Sequence, residues 1–445
     1  MNKIVEIVEH KVIRKLLYIF FLLSYKLNLK IFVFLFFYMY ISIKKYYKIF
    51  ILKNNKNNIT VITFWRQSFL KDQVELNKSK DVNLIMIKPY VWSTLTKIFY
   101  PKYMRGQIKY HLFVDIDSIK IKKKAEQFIF PILRQLNKKQ LADSFIVGNV
   151  DYMEHQSWGD AAKKLNIPFL VMLCEGYFTK YWHNRFINQE HFLAKTKFIY
   201  DKVLVPGTSA INLAEEANIA SEDDIIVTGY PRTDTTYAIF NKIKKVSSNE
   251  KNIILLIAFN EPNYLADNLW TSVLDEFCNL AKNNKDFTFI IKTKKPTLTS
   301  SLLDSMDKNQ KNITNLKVDD SFDIFEITEK LRVVISFTST FLLEAMCGKL
   351  PLIVPMWSDG IESYKAGATF FDLNNSGLDY IYSVQDFNTL INDLCLQNKY
   401  EDYLINIEQN LNARKNFLKP FLYKVDGQRT KAITNHIIEL TKQAL

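Results

Sequence analysis

Cysteine is scarce in this chain, and the little there is makes no site. Four cysteines (Cys174, Cys278, Cys347, Cys395) are scattered through 445 residues with no CxxC pair and no metal-ligand spacing, which excludes a zinc module. Each lies in an apolar or helical stretch, as reduced core thiols do, and this points to a reducing environment. There is no glycine-rich GxGxxG and no GK[ST] loop, so a nicotinamide or P-loop enzyme has no support. Neither of two N-terminal apolar runs reaches the roughly 18–20 residues of a clean membrane span. No small-x-small cleavage site follows them, as a signal peptide requires. Acidic residues are outnumbered, 46 against 59 Lys and Arg, but the excess is local. Residues 1–58 hold ten Lys and one Arg against two Glu, a net +9, which leaves only +4 for residues 59–445. A body so weakly charged, with no recognition motif, excludes nucleic acid as a partner.

What is present suits a large α/β protein: 48% hydrophobic and 14% aromatic residues, in a chain long enough for two or three domains. The N-terminal runs are Leu16 to Tyr25 and Ile31 to Ile43, separated by Lys26 and Lys30 and flanked by Arg14-Lys15 and Lys44-Lys45-Lys48. Apolar stretches rimmed by bases are expected to hold an anionic membrane surface. Residues 1–53 are therefore expected to form a basic helical extension. Within it, residues 12–52 would be a monotopic or re-entrant anchor, with the body on the cytoplasmic side. A buried aromatic helix pair packed on the body is the alternative.

After a short polar linker, strands expected at 59–64, 82–87, 112–116, 145–148, 167–173, 202–206 and 224–228 are interspersed with helices at 125–139, 160–165 and 209–218. A polar break at 246–252 precedes a second series, with strands at 253–258, 287–291, 333–335 and 352–354 and a helix at 268–282. This spacing predicts doubly wound parallel sheets. The domains are expected at 54–240 and 241–415, with a closing helical segment at 416–445.

Ligands of such sheets bind at the C-terminal ends of strands, and several polar residues fall there. Arg66 follows the first strand and is the acceptor-side candidate. Glu175, with Gly176 behind it leaving room for a substrate, suits a general base. It equally suits a capping carboxylate or an ion pair with Lys180 or Arg185. Asp115 and Asp117 imitate a metal-binding DxD, but Asp115 lies inside an apolar strand pattern and the pair reads as structural. His155 and His183 have no partner that sequence identifies. Lys292, Lys294 and Lys295 end a strand and suit either a phosphate or a solvated loop.

The densest pattern is Val333 to Met356. A β-branched run, Val333-Val334-Ile335, leads into four hydroxyls (Ser336, Thr338, Ser339, Thr340), then a helix over 341–346 that Gly348 stops. A second strand follows. Unpaired N–H groups at a strand-to-helix turn favour an anion, with phosphate the natural guest. Glu344 could reach a sugar hydroxyl of the same ligand. The plainer reading is a helix cap by Ser339 or Thr338, with Glu344 favouring the first turn.

Several of these stretches, in order, resemble one family. Residues 167–176 (IPFLVMLCEG), 200–234 (ending VTGYPRTD), 287–296 (FTFIIKTKKP), 335–353 (ISFTSTFLLEAMCGKLPLI) and 426–437 (DGQRTKAITNHI) are similar to segments of bacterial capsule and lipopolysaccharide glycosyltransferases. The resemblance covers roughly 140–440. It implies the GT-B fold, with two Rossmann-like domains facing across a cleft, the acceptor on the first, the nucleotide-sugar on the second, and a closing helix crossing back. It is looser towards Kdo- and sialyltransferases: Glu175-Gly176 and Ser339-Thr340 match two of their motifs, while Lys295-Pro296 stands where they carry His-Pro. By this resemblance Glu175 is the base, and Ser339, Thr340, Lys292 and Arg232 take the departing phosphate. Glu344 holds the ribose, and Lys294, Ser336 and Thr338 complete the donor site. It also implies no metal or other cofactor, with a nucleotide-sugar donor, a glycan or glycolipid acceptor, and the inner membrane as partners. A GT-B-fold sugar-nucleotide epimerase, a polyol-phosphate transferase and a non-catalytic assembly partner are the alternatives.

Overall fold

The computed structural model describes residues 2–51, 58–66, 69–101, 116–148, 153–173, 201–216, 220–243, 248–258, 267–293, 296–337, 339–365 and 377–444. The chain divides into two compact units. The first comprises Met1–Gly176, Arg185–Asp234 and Gln428–Leu445, the second Tyr177–Asn184 and Thr235–Gly427.

The first unit is built on a parallel sheet of six strands: β1 (Thr60–Phe64), β2 (Asn83–Ile87), β3 (Ser144–Val147), β4 (Phe169–Met172), β5 (Lys202–Val205) and β6 (Ile225–Val227), in the order β2-β1-β3-β4-β5-β6. β1, β3 and β4 (TVITF, SFIV, FLVM) are buried at every position. Side chains on both faces meet helices, which is why these strands read as continuous rather than alternating apolar runs.

Two helices precede this sheet, α1 (Asn2–Lys26) and α2 (Lys30–Ile51). They are joined through Asn28, whose φ of 56° is a left-handed turn conformation that asparagine tolerates. Among the described residues no helix is long and apolar enough to cross a membrane. Further described helices of this unit are α3 (Leu70–Asn77), α4 (Pro89–Phe99), α5 (Ile116–Lys138), α6 (Met153–Lys163) and α7 (Ser209–Glu216). The α1–α2 pair packs against them through aromatic edges: Phe37 on Trp158 of α6 at 5.7 Å, and Tyr25 on Phe99 and Phe128 at 5.0 and 5.6 Å. The strand expected at 112–116 lies outside the described residues except for Ile116, and that residue opens α5. Asp117 is therefore in a helical first turn, exposed and 3.8 Å from Lys120, where a carboxylate favours the helix dipole.

α8 (Arg232–Ile243) follows β6. Its Asp234 accepts backbone hydrogen bonds from Arg429 at 2.9 Å and Thr430 at 2.8 Å, capping the closing helix Arg429–Ala444.

The second unit holds the other parallel sheet, β7 (Ile253–Ile257), β8 (Thr288–Lys292), β9 (Leu316–Asp319), β10 (Leu331–Ile335), β11 (Leu352–Pro355) and β12 (Asp379–Ile381), in the order β12-β11-β10-β7-β8-β9. Its helices are α9 (Asp267–Asn283), α10 (Pro296–Ser305), α11 (Lys308–Lys311), α12 (Ile324–Ile327), α13 (Thr340–Ala345), α14 (Gly360–Lys365), α15 (Val384–Cys395), α16 (Gln397–Gln409) and α17 (Leu411–Leu422). Residues 384–422 thus form three successive helices.

Two buried arginines tie these helices to the sheet. Arg332 of β10 donates to the carbonyls of Leu394 at 2.7 Å and Ser248 at 3.1 Å, and lies 3.6 Å over the Tyr400 ring. Arg414 of α17 donates to Gly348, Leu350 and Gly377 carbonyls at 2.8–3.1 Å. A buried guanidinium is tolerated when its N–H groups find acceptors in this way.

Candidate functional site

In each sheet the strand order reverses at one place, and there the connections leave a crevice beyond the strand ends. In the second unit that place lies between β7 and β10, where Ile335 pairs with Leu256. The hydroxyl-rich segment singled out in the sequence leaves β10 here. Ser336 is 1% exposed, and its amide is used by the Ile353 carbonyl at 3.0 Å. Phe337 turns inward against Trp270 of α9, ring centres 6.1 Å apart. Ser339 is half-buried and caps α13, its Oγ accepting from the Phe341 amide at 3.2 Å. Thr338 and the side chain of Thr340 lie outside the described residues. α13 is only six residues long, so its dipole is weak. Glu344 is buried in it at 7% exposure.

Lys292 ends β8, in register with Ile257 at the end of β7. Its Nζ donates to the Thr293 carbonyl at 2.9 Å and lies 5.1 Å from the Phe322 ring. Asp319 is its register partner on β9. Hydrogen bonds from Ser321, chiefly the hydroxyl, hold that carboxyl below the usual range, with Lys292 a lesser cause. Lys294 lies outside the described residues.

A cavity of about 180 Å³ adjoins the same strand ends, between Ala258 and Thr293 and walled by Trp270, Leu298 and Ser301. It is too small for a whole nucleotide-sugar, which needs roughly 300 Å³ or more. Sequence reasoning missed it, because α10 had not been recognised; Pro296 at its first position was the available signal.

In the first unit the reversal lies between β1 and β3. Phe64 ends β1 and stacks on the buried His155, centres 5.0 Å apart at 18°, with Trp92 6.5 Å from the same imidazole. Arg66, two residues on, lays its guanidinium over Trp92 at 4.8 Å. Gln73 of α3 fixes this loop, donating to Thr63 Oγ1 and the Phe64 carbonyl at 2.8 Å each. The acceptor-side candidate Arg66 and the unassigned His155 are thereby brought to one strand end.

Arg232 is placed otherwise than the resemblance implies. Its guanidinium meets Asp72 of α3 in a fork, Nε to Oδ1 at 3.1 Å and NH2 to Oδ2 at 2.7 Å, and its backbone N–H adds a third contact at 3.1 Å. Asp72 is fully buried, and burial pushes its carboxyl up while Arg232 pulls it down. This arginine's charge is committed inside the first unit. Glu175 lies outside the described residues; the chain is described as far as Leu173, just past β4, whose amide donates to Leu204 at 3.0 Å.

No protein family matches the chain, and neither does any curated protein. Solved structures do. A putative UDP-N-acetylglucosamine 2-epimerase from Listeria monocytogenes is similar at TM-score 0.52 and 13% identity, over 86% of this chain and 97% of that one. Another UDP-N-acetylglucosamine 2-epimerase gives 0.50 and 13%, over 86% and 96%. The wall teichoic acid polymerase TagF gives 0.50 and 12%, over 95% and 98%. At such identities the likeness concerns the fold, and the fold is GT-B: two Rossmann-like, doubly wound units.

Proposed function

We propose that this chain is a sugar-nucleotide enzyme, and that it transfers a sugar from a nucleotide-sugar to a bacterial surface glycan, capsule or lipopolysaccharide. The observation that carries the reading is the hydroxyl-rich segment at the reversal point of the second sheet, with Lys292 two strands away. In that sheet order, a strand-end loop beside the reversal is where a nucleotide phosphate is bound.

Ser339, Thr338 and Thr340 offer hydroxyl donors to the phosphate, and Lys292 and Lys294 offset its charge. Ser336 and Glu344 are buried. Ser336 therefore shapes the loop from beneath, and a ribose contact for Glu344 requires α13 to shift. The acceptor hydroxyl gives its proton to the Glu175 carboxylate as its oxygen bonds to the anomeric carbon. The carbon–oxygen bond to phosphate breaks, and the nucleotide leaves with the electron pair. Donors fixed where that negative charge grows do the main catalytic work, and no metal is assigned a part. With Arg232 held by Asp72, the lysines carry the cationic share. Arg66, braced on Trp92, suits an anionic group on the acceptor.

Thermal melting of the protein with UDP, CMP, GDP, dTDP or ADP, each with and without magnesium, tests the donor site. A ligand that binds only the folded state stabilises it by mass action, by about 2.7 kcal/mol at a hundredfold excess over Kd, and so raises the melting point. One nucleotide should act selectively, and Lys292→Ala should abolish the shift. No shift with any nucleotide would sink the reading. The two epimerase neighbours favour a second one, inversion of a sugar-nucleotide at carbon 2. Incubation with UDP-N-acetylglucosamine alone separates the two, because only an epimerase turns over without an acceptor.

A further inference from the structure

We infer that the α1–α2 pair docks this protein flat on an anionic bilayer, in the plane of the interface, without crossing it. The inference does not depend on the sugar-nucleotide reading.

A helix on a soluble surface turns its apolar stripe inward and its polar face out. These two helices are apolar on both sides. Phe21, Val33, Phe37 and Ile41 are fully buried on the inner side. Outward, Leu16 and Leu23 of α1 and Leu27 just after it are 52–62% exposed, and Ile31, Met39 and Ile43 of α2 are 55–65% exposed. Their spacing of four and of seven or eight residues lines each set along one helix face. Most of the large apolar side chains exposed on the described protein belong to this one pair of helices. A concentration of this kind marks an interaction surface.

Charge selects the occupant. No Asp or Glu occurs between Glu9 and Asp72, whereas residues 12–51 carry Arg14, Lys15, Lys26, Lys30, Lys44, Lys45 and Lys48. Arg14, Lys15 and Lys26 are exposed, one cluster before the α1 apolar stretch and one lysine at the turn. A second copy of the chain would set these bases against bases. Anionic headgroups would neutralise them. Tyr46 and Tyr47, 65% and 57% exposed, are side chains that favour the headgroup level.

Geometry selects the pose. The uncharged runs 16–25 and 31–43 are about 15 and 20 Å long as helices, against roughly 30 Å of hydrocarbon. The inner face is also held by Trp158, Phe99 and Phe128, so insertion across the bilayer would strip those rings from the body.

The test is co-sedimentation of the full chain with neutral phosphatidylcholine vesicles and with vesicles containing phosphatidylglycerol, at low and high salt. Binding should favour the anionic vesicles and weaken with salt. The double variants Leu16→Glu/Leu23→Glu and Met39→Glu/Ile43→Glu should each bind at least about tenfold more weakly. Arg14→Glu/Lys15→Glu/Lys26→Glu should lose the preference for anionic vesicles. All the altered side chains are exposed, so unchanged melting curves are expected and checked alongside. The nucleotide melting shift is recorded on the same variants, and its loss would concern the donor site and not this surface. Three results would overturn the inference: no binding to either vesicle; a light-scattering dimer that the apolar variants split; or resistance to alkaline extraction, which would mean a true span.

Discussion

The Arg232–Asp72 pair offers a sharp test, because two roles for one arginine predict opposite outcomes. Asp72 is fully buried and receives three contacts from Arg232. Arg232→Ala leaves that carboxylate in the interior with only the backbone N–H. Removing one partner of a buried pair typically costs about 3–5 kcal/mol. At roughly 2–4 °C per kcal/mol for a unit of this size, the first unit should melt about 6–20 °C lower. The deficit should also depend on pH. Burial already raises the Asp72 carboxyl, and without the guanidinium it rises further above its unfolded value. The native variant then holds a proton that the unfolded chain has released, so stability falls as pH rises through the acid range. The variant should lie closer to the parent near pH 4 than at pH 7. Replacing both residues by leucine should recover part of the loss, since the uncompensated charge is then gone. Urea or thermal unfolding followed by tryptophan fluorescence gives the stability, and the nucleotide shift is measured on the same samples. If Arg232→Ala unfolds like the parent at every pH but no longer responds to nucleotide, the reasoning fails and Arg232 is a phosphate ligand after all.

Asp234→Ala removes the acceptor of the Arg429 and Thr430 amides; loss of such a cap should cost about 1–2 kcal/mol, read as a lower urea midpoint, with Asp234→Asn recovering part. Burial pushes the Asp379 carboxyl up to about 6, against a smaller opposing pull from Arg414. The native state therefore keeps that proton after the unfolded chain releases it, and about 3 kcal/mol of stability should drain away as pH rises from about 4 to about 6. Asp379→Asn should flatten the curve over that window in unfolding titrations. At Gly348 an added Cβ would lie 2.1 Å from the Phe240 ring, so Gly348→Ala should lose roughly 1–3 kcal/mol by overpacking, visible as a lower melting temperature.

The central strands were legible in the sequence because their physics is local. IILLI, TFIIK and LRVVI are runs that only a two-faced core accommodates. β9 (LKVD) and β12 (DYI) were not legible: as edge strands they are partly exposed and carry no such run. Ile116 shows the converse error, where a short apolar stretch fits strand or helix equally and only tertiary packing decides. In the site, Ser336 and Ser339 at a strand end could be found from their neighbours alone. What Arg232 touches could not, since Asp72 lies 160 residues earlier and nothing in the intervening chain links them. His155 reaches Phe64 across ninety-odd residues for the same reason.

The cap that Asp234 places on the closing helix has a consequence for biosynthesis. Every described strand of the first sheet has been translated by residue 227, yet the helix Arg429–Ala444 of the same unit follows only after the second unit's long stretch. The second unit apart from 177–184 is one unbroken stretch, 235–427, and precedes that helix in the chain. Domains generally fold in the order in which they leave the ribosome. Here the unit begun first is completed only after the second unit's residues have been made, and until then the Asp234 carboxylate waits for the amides of Arg429 and Thr430. A frameshift or nick near residue 428 would therefore injure the oldest part of the protein and leave the newer half intact.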